Sequence, residues 1–243
     1  MSMQHSLFRA GMERQLYRWA AFAAALIVFA GFARTFYLKG LFDTPALSSL
    51  HWVHGTVMTL WLILFIVQVS LVAAGRTDLH RRLGIVGAVL ALTMVVLNTL
   101  TGIDAGQRGA VPPPAAAAGI TPLMFMAVPL IDVVVFVVLI GAGLWNRRRP
   151  DVHKRLMLLA TLGILTPGIA RIPLDILQQG GLPAFFGLTI LAVLICAAID
   201  TALHRRLHPA FLWGGGLIIL SVPFRIKLAG TAVWTQFAGW LIA

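Results

Sequence analysis

WVHGTVMTLWLILFIVQVSLVA, residues 52–73, followed by AGRTDLHRRLG, residues 74–84, decides the fold class. The first part contains no Asp, Glu, Lys or Arg. At about 1.5 Å per residue it extends about 33 Å as a helix, enough for a hydrocarbon layer of about 30 Å. Its apolar residues do not alternate, which argues for a helix and against a strand of a membrane barrel. The second part gathers three arginines, an aspartate and a histidine where the chain must turn back.

Working outward, Leu123–Leu144 and Leu182–Leu203 are apolar blocks of the same kind. The whole chain is 59% hydrophobic and 11% charged, with mean hydropathy +0.91. Soluble domains carry about 25% charged residues. We therefore expect an all-α fold, a polytopic transmembrane helical bundle forming one domain over residues 1–243. About seven spans are predicted, near 17–37, 52–73, 83–103, 122–145, 155–174, 182–203 and 209–229. A tail, 230–243, carries Trp234 and Trp240 and is expected at the interface, where Trp is favoured. Trp19–Ala33 follows Arg9, Arg14 and Arg18 in the charge order of a signal peptide, but it is read as the first span.

The net charge of +11 does not point to nucleic acid, because the cations lie in short loops between apolar blocks. Arg9, Arg14, Arg18, Arg76, Arg81, Arg82, Arg147, Arg148, Arg149, Lys154, Arg155, Arg205 and Arg206 fall on one side. Arg34, Lys39, Arg108, Arg171, Arg225 and Lys227 fall on the other. The positive-inside rule then puts the N-terminus in the cytoplasm and the C-terminus outside, in a bacterial inner (plasma) membrane. The single cysteine, Cys196, allows no intrachain disulfide and reads as a packing residue.

One turn recurs. Arg76-Thr-Asp-Leu-His-Arg-Arg-Leu83 returns as Arg149-Pro-Asp-Val-His-Lys-Arg-Leu156, and Leu203-His-Arg-Arg-Leu207 repeats its second half. This supports a repeated helical hairpin. Asp78 and Asp151 are expected as helix N-caps. The turn reads either as a capped, positively charged connection or as a device that converges His80, His153 and His204 as ligands. Neither topology nor capping requires histidine in that slot.

Other polar residues stand where lipid is expected. His51 and His54 share one helix face and offer metal ligands, or a haem ligand with a hydrogen-bonding neighbour. Asp132 is deep in the fourth span, and a carboxylate there must be paired, protonated or wet. Asn98 and Gln68 read as interhelical hydrogen-bonders or ligand-binding groups. Arg171 and Asp175 have an i,i+4 spacing that permits an ion pair. Arg34 and Arg225 lie at similar depth. An outward polar pocket of His51, His54, Arg34, Arg171, Asp175 and Arg225, with Asp132 below, is expected as one arrangement. Snorkelling arginines with a structural ion pair are the other. Pro167-Gly168 should kink the fifth span and free a carbonyl.

At His51–Gly55, Gln68, the turn ending at Gly84, and Arg149–Thr161 with Ile169-Ala-Arg171, the chain resembles a group of uncharacterised proteobacterial multi-span inner-membrane proteins. The resemblance covers about residues 50–175 and implies a multi-span fold without an activity. More loosely, helix-end histidines in a small bundle are similar to b-type cytochromes and haem-handling assembly proteins. Three functions follow. The first is binding of haem b or a transition metal through helix-end histidines, for electron transfer or cofactor assembly. The second is transport or binding of a small anionic or lipidic ligand. The third is an accessory role in a respiratory or other membrane complex. Membrane lipid is the expected partner throughout. No nucleotide-cofactor motif or nucleophile–base pair is present.

Overall fold

Uninterrupted apolar runs bounded by charged turns form helices here, because lipid offers no partner for backbone N–H and C=O groups. The computed structural model describes residues 3–243, with side chains described from Gly11 onward. Arg9, counted above among the topology charges, lies outside the described side chains. The order is α1 (Met3–Phe32), α2 (Ser49–Ala73), α3 (Thr77–Gln107), α4 (Pro113–Ala117), α5 (Pro122–Phe125), α6 (Ala127–Trp145), α7 (Pro150–Gly163), α8 (Thr166–Ile169), α9 (Asp175–His204), α10 (Pro209–Ala229) and α11 (Ala232–Ile242). A π-helical turn, Ala33–Tyr37, ends α1. No strand occurs among the described residues.

Six stretches are long and apolar enough to cross a membrane: Gly11–Tyr37, Ser49–Ala73, Thr77–Gln107, Pro122–Trp145, Asp175–His204 and Pro209–Ala229. The protein is thus an all-α, multi-pass integral membrane protein. The remaining expected span, 155–174, is broken. Pro167 lacks an N–H and its ring clashes with the carbonyl four residues back, so α7 stops at Gly163 and α8 resumes at Thr166. The pair still runs beside the second half of α9. Arg155 meets Asp200 at one end, and Thr166 hydrogen-bonds Thr189 at 2.8 Å farther along.

This broken element is the centre of the bundle. Seven of the fourteen α7 residues are buried, from Arg155 to Leu162, and it packs on α1, α6, α9 and α10. α1 crosses α8 at Gly31. A Cβ built there would lie 2.0 Å from the Gly168 carbonyl oxygen, so only glycine permits this backbone approach.

Two local expectations are corrected. Asp78 and Asp151 are not N-caps. Arg76 and Arg149 hold those positions without side-chain caps, and the aspartates sit in the first turn, where negative charge suits the helix dipole. Arg171 and Asp175 are not one helical turn apart on a common face. The chain is unwound between Ile169 and Asp175, and Arg171 donates instead to the Pro167 carbonyl at 3.0 Å. The tail forms α11, which buries Trp234 and Ala238 against α3, α5 and α10.

Candidate functional site

The first turn and a half of α7 organises the arginine-rich end of the bundle. Successive helical residues point about 100° apart. Four of the five residues Asp151–Arg155 use this to reach different neighbours with their side chains. Asp151 accepts from His208 Nε2, at the head of α10, at 3.3 Å. His153 reaches α6 and α3. Lys154 donates to Glu13 Oε1 of α1 at 2.5 Å and lies over the Tyr17 ring. Arg155 makes a forked contact with Asp200 of α9, Nη2 to Oδ1 at 2.8 Å and Nε to Oδ2 at 3.1 Å. Its Nη1 also donates to the Asp151 carbonyl at 2.7 Å. Arg155 is 2% exposed and Asp200 not at all, so each charge depends on the other.

His80 and His153 each occupy the fourth residue of their helix, α3 and α7, because both come from copies of the repeated turn. Their rings meet edge to face with centroids 6.2 Å apart. His153 Nδ1 lies 2.8 Å from the Gly143 carbonyl, which only accepts, so Nδ1 is the donor and Nε2 is left outside that bond. His80 Nδ1 is buried without a hydrogen-bond partner.

His204, the third histidine of the repeat, goes elsewhere. It joins Glu13 and Asp200, the one group among the described residues whose ligand atoms lie within 4.8 Å of one another as a metal site requires. Each carboxylate there already holds a cation, Lys154 on Glu13 and Arg155 on Asp200, so a metal ion must compete with both. A small cleft adjoins the group, lined by Asp151, Lys154, Arg155, His204, Arg206 and His208. His208 caps α10, its Nδ1 accepting from Ala210 N–H at 3.1 Å. Burial, and next the Arg155 charge, push its imidazole below the ordinary histidine range, with partial opposition from Asp151.

At the opposite end the expected outward pocket is redistributed. Asp132 is paired with Arg225 of α10 at 2.6 Å, and the guanidinium also binds Ser221 Oγ at 2.8 Å and covers the Phe186 ring. His51 is committed to Ser48 Oγ at 2.8 Å and to the Asp104–Arg108 pair of α3, with Arg108 Nη2 at 3.3 Å. His54 Nδ1 is buried without a partner. Arg34 lies over Phe42 and Arg171 over Phe32. Asp175 opens α9 in its first turn. Asn98 Nδ2 donates within its own helix to the Met94 carbonyl at 2.8 Å and across to Met58 Sδ of α2 at 3.8 Å, the interhelical contact expected of it, and Gln68 Oε1 is buried and unpartnered.

Sequence reading singled out His80, His153 and His204 but not Glu13, Tyr17, Asp200, His208, Asp104 or Arg108 as site residues. Asp200 carried a usable signal, a carboxylate inside the apolar block 182–203. Arg155 was masked by its place among the topology charges. Comparison of the chain with protein-family models, with curated proteins and with solved structures finds no match.

Proposed function

We propose that this membrane protein holds haem b or a single transition-metal ion between His80 and His153, for electron transfer or cofactor assembly at the cytoplasmic face of a bacterial inner membrane. The observation that carries the proposal is the meeting of these two rings. Rings this close would share one metal ion or haem iron once each turned a nitrogen toward it. No third His, Cys, Asp or Glu joins them among the described residues. Two imidazoles alone suit a centre needing two protein ligands, as bis-histidine haem does, better than tetrahedral zinc. The Gly143 carbonyl fixes the His153 tautomer in the way that usually orients a metal-binding histidine. Arg81, Arg82 and Arg147–Arg149, on the same turns, offer guanidinium groups suited to haem carboxylates.

The test is an absorbance spectrum of the full chain, purified in detergent after growth with haem precursor, together with metal analysis. A Soret band or stoichiometric metal is expected, lost in His80→Ala and in His153→Ala and retained in His204→Ala. A folded preparation without colour or metal, before and after incubation with haem, rejects the proposal.

A further inference from the structure

Two charged turns meet at the arginine-rich end and leave arginines that no carboxylate answers. Asp151 Oδ2, in the first turn of α7, lies 3.3 Å from His208 Nε2 at the head of α10, so the α6–α7 and α9–α10 turns adjoin. Together they carry Arg147, Arg148, Arg149, Arg205 and Arg206, all exposed. Among the described residues none of the five enters an ion pair. Only Arg147 makes a side-chain hydrogen bond, to the Leu144 carbonyl at 3.4 Å. The neighbouring carboxylates are engaged elsewhere: Glu13 with Lys154, Asp200 with Arg155, and Asp151 with His208. Arg206 lines the small cleft beside these pairs.

The backbone singles out one of the five. Arg205 follows the last residue of α9 with φ 59° and ψ 18°, and among the described residues it is the only one besides glycine in the left-handed region. α2, α3 and α4 are each followed within two residues by a glycine in that region, at Gly75, Gly109 and Gly119. Glycine has no Cβ and adopts this conformation freely, whereas any other side chain is strained there. α9 thus forgoes the residue that would end it best and carries an arginine instead. No polar contact of that side chain within the described residues offsets the strain.

The surface next to the guanidinium groups is apolar. α6 and α10 run antiparallel: Arg225 binds Asp132, and a Cβ on Gly214 would lie 3.2 Å from Leu139 Cδ2. Trp145 stands six residues past Leu139 and His208 six residues before Gly214, so both lie about 9 Å farther along, at one level. There Trp145 is 86% exposed, with Leu207 47% and Leu212 65% exposed across from it. A soluble anion would use the arginines alone. A lipid with an anionic headgroup uses both layers, its phosphate against the guanidinium groups and its acyl chains along the exposed Trp and Leu side chains. We propose that the α6–α7 and α9–α10 turns form a binding site for the phosphodiester headgroup of an anionic membrane lipid, with Arg205 and Arg206 on one side and Arg147–Arg149 on the other. The site stands whether or not His80 and His153 hold haem, because Arg205 and Arg206 lie on a turn that carries neither histidine.

The test uses the full chain in neutral detergent without added haem. Dioleoyl phosphatidylglycerol and dioleoyl phosphatidylcholine are supplied in equal amounts, and native mass spectrometry counts each lipid bound. The wild type is expected to carry phosphatidylglycerol in preference. One cation beside an anionic headgroup favours binding about fivefold, so Arg205→Gly should lower the ratio of the two adducts by about that factor and Arg205→Gly/Arg206→Gln by about twenty-five. Arg81→Gln/Arg82→Gln, at the start of α3, should leave the ratio unchanged. Without lipid, the thermal midpoint of Arg205→Gly should equal or exceed that of the wild type, because glycine relieves the left-handed position. A wild type without lipid preference overturns the proposal, and so does an unchanged ratio in the Arg205/Arg206 variant. An equal fall in the Arg81/Arg82 variant marks diffuse charge rather than a site, and overturns it too. Displacement of phosphatidylglycerol by millimolar inorganic phosphate assigns the arginines to a soluble anion and rejects the lipid. A lower midpoint for Arg205→Gly shows that the arginine serves the fold, and the argument from its backbone fails with the proposal.

Discussion

Replacing Arg155 by Met tests whether the buried Arg155–Asp200 pair organises the arginine-rich end. The substitution keeps most of the buried stem but removes every donor that Asp200 receives from α7. Asp200 has no exposed surface, so its carboxylate is left buried without a counter-charge. Breaking one side of such a pair costs about 3–5 kcal/mol. For a chain of this size, at roughly 2–4 °C per kcal/mol, the midpoint should fall by about 6–20 °C. Asp200→Asn should fall in the same range, because the guanidinium is then the stranded charge. The double variant Arg155→Met/Asp200→Leu strands neither and should recover much of the loss. The assay is thermal unfolding in one detergent, followed by tryptophan fluorescence and by circular dichroism, as a double-mutant cycle. Losses below about 1 kcal/mol in both single variants, or a double variant equal to their sum, would refute the argument.

Other outcomes follow from single contacts. Asp132→Ala should cost about 3–5 kcal/mol by stranding Arg225, and Asp132→Ala/Arg225→Met should recover part of it in the same unfolding assay. Gly31→Ala should destabilise by more than 1 kcal/mol, because the methyl group meets the Gly168 carbonyl and α1 must move off α8; full stability would show that the crossing is looser than described. His208 is held below the ordinary histidine range in the fold, so the unfolded chain binds the proton more readily. Its contribution is therefore present above about pH 6.5 and lost as pH falls toward the lowered folded value. His208→Asn keeps a capping side chain and should flatten that acid limb, whereas a limb unchanged from wild type would exclude His208 as its source. Trp234→Phe should cost about 1 kcal/mol through the lost bond from Nε1 to the Leu123 carbonyl.

Much of the fold was legible because lipid imposes it. A run such as Trp52–Ala73 has no stable alternative to a helix, and its length against the hydrocarbon layer sets where it turns. The exception, the fifth crossing, was half legible. Pro167 announced the break, but that the broken element sits at the centre of the bundle is a property of packing that no local pattern carries. The expected pair of Arg171 and Asp175 failed for the same reason. Their spacing implied one helix, and the unwound turn after Ile169 removed it.

The site divides along the same line. The repeated turn placed a histidine at the fourth position of α3 and of α7, and sequence alone determined that equivalence. It could not tell which histidines meet. His80 and His153 meet because α3 and α7 both flank α6, whereas His204 ends a helix that runs beside α1. Residues distant in sequence, Glu13 with Lys154 and Arg155 with Asp200, become partners only through that arrangement. A charge in a sequence has a sign and a depth. Its partner is chosen by tertiary structure, because the Coulomb term and the hydrogen bonds that offset desolvation act over a few ångströms and vanish beyond them.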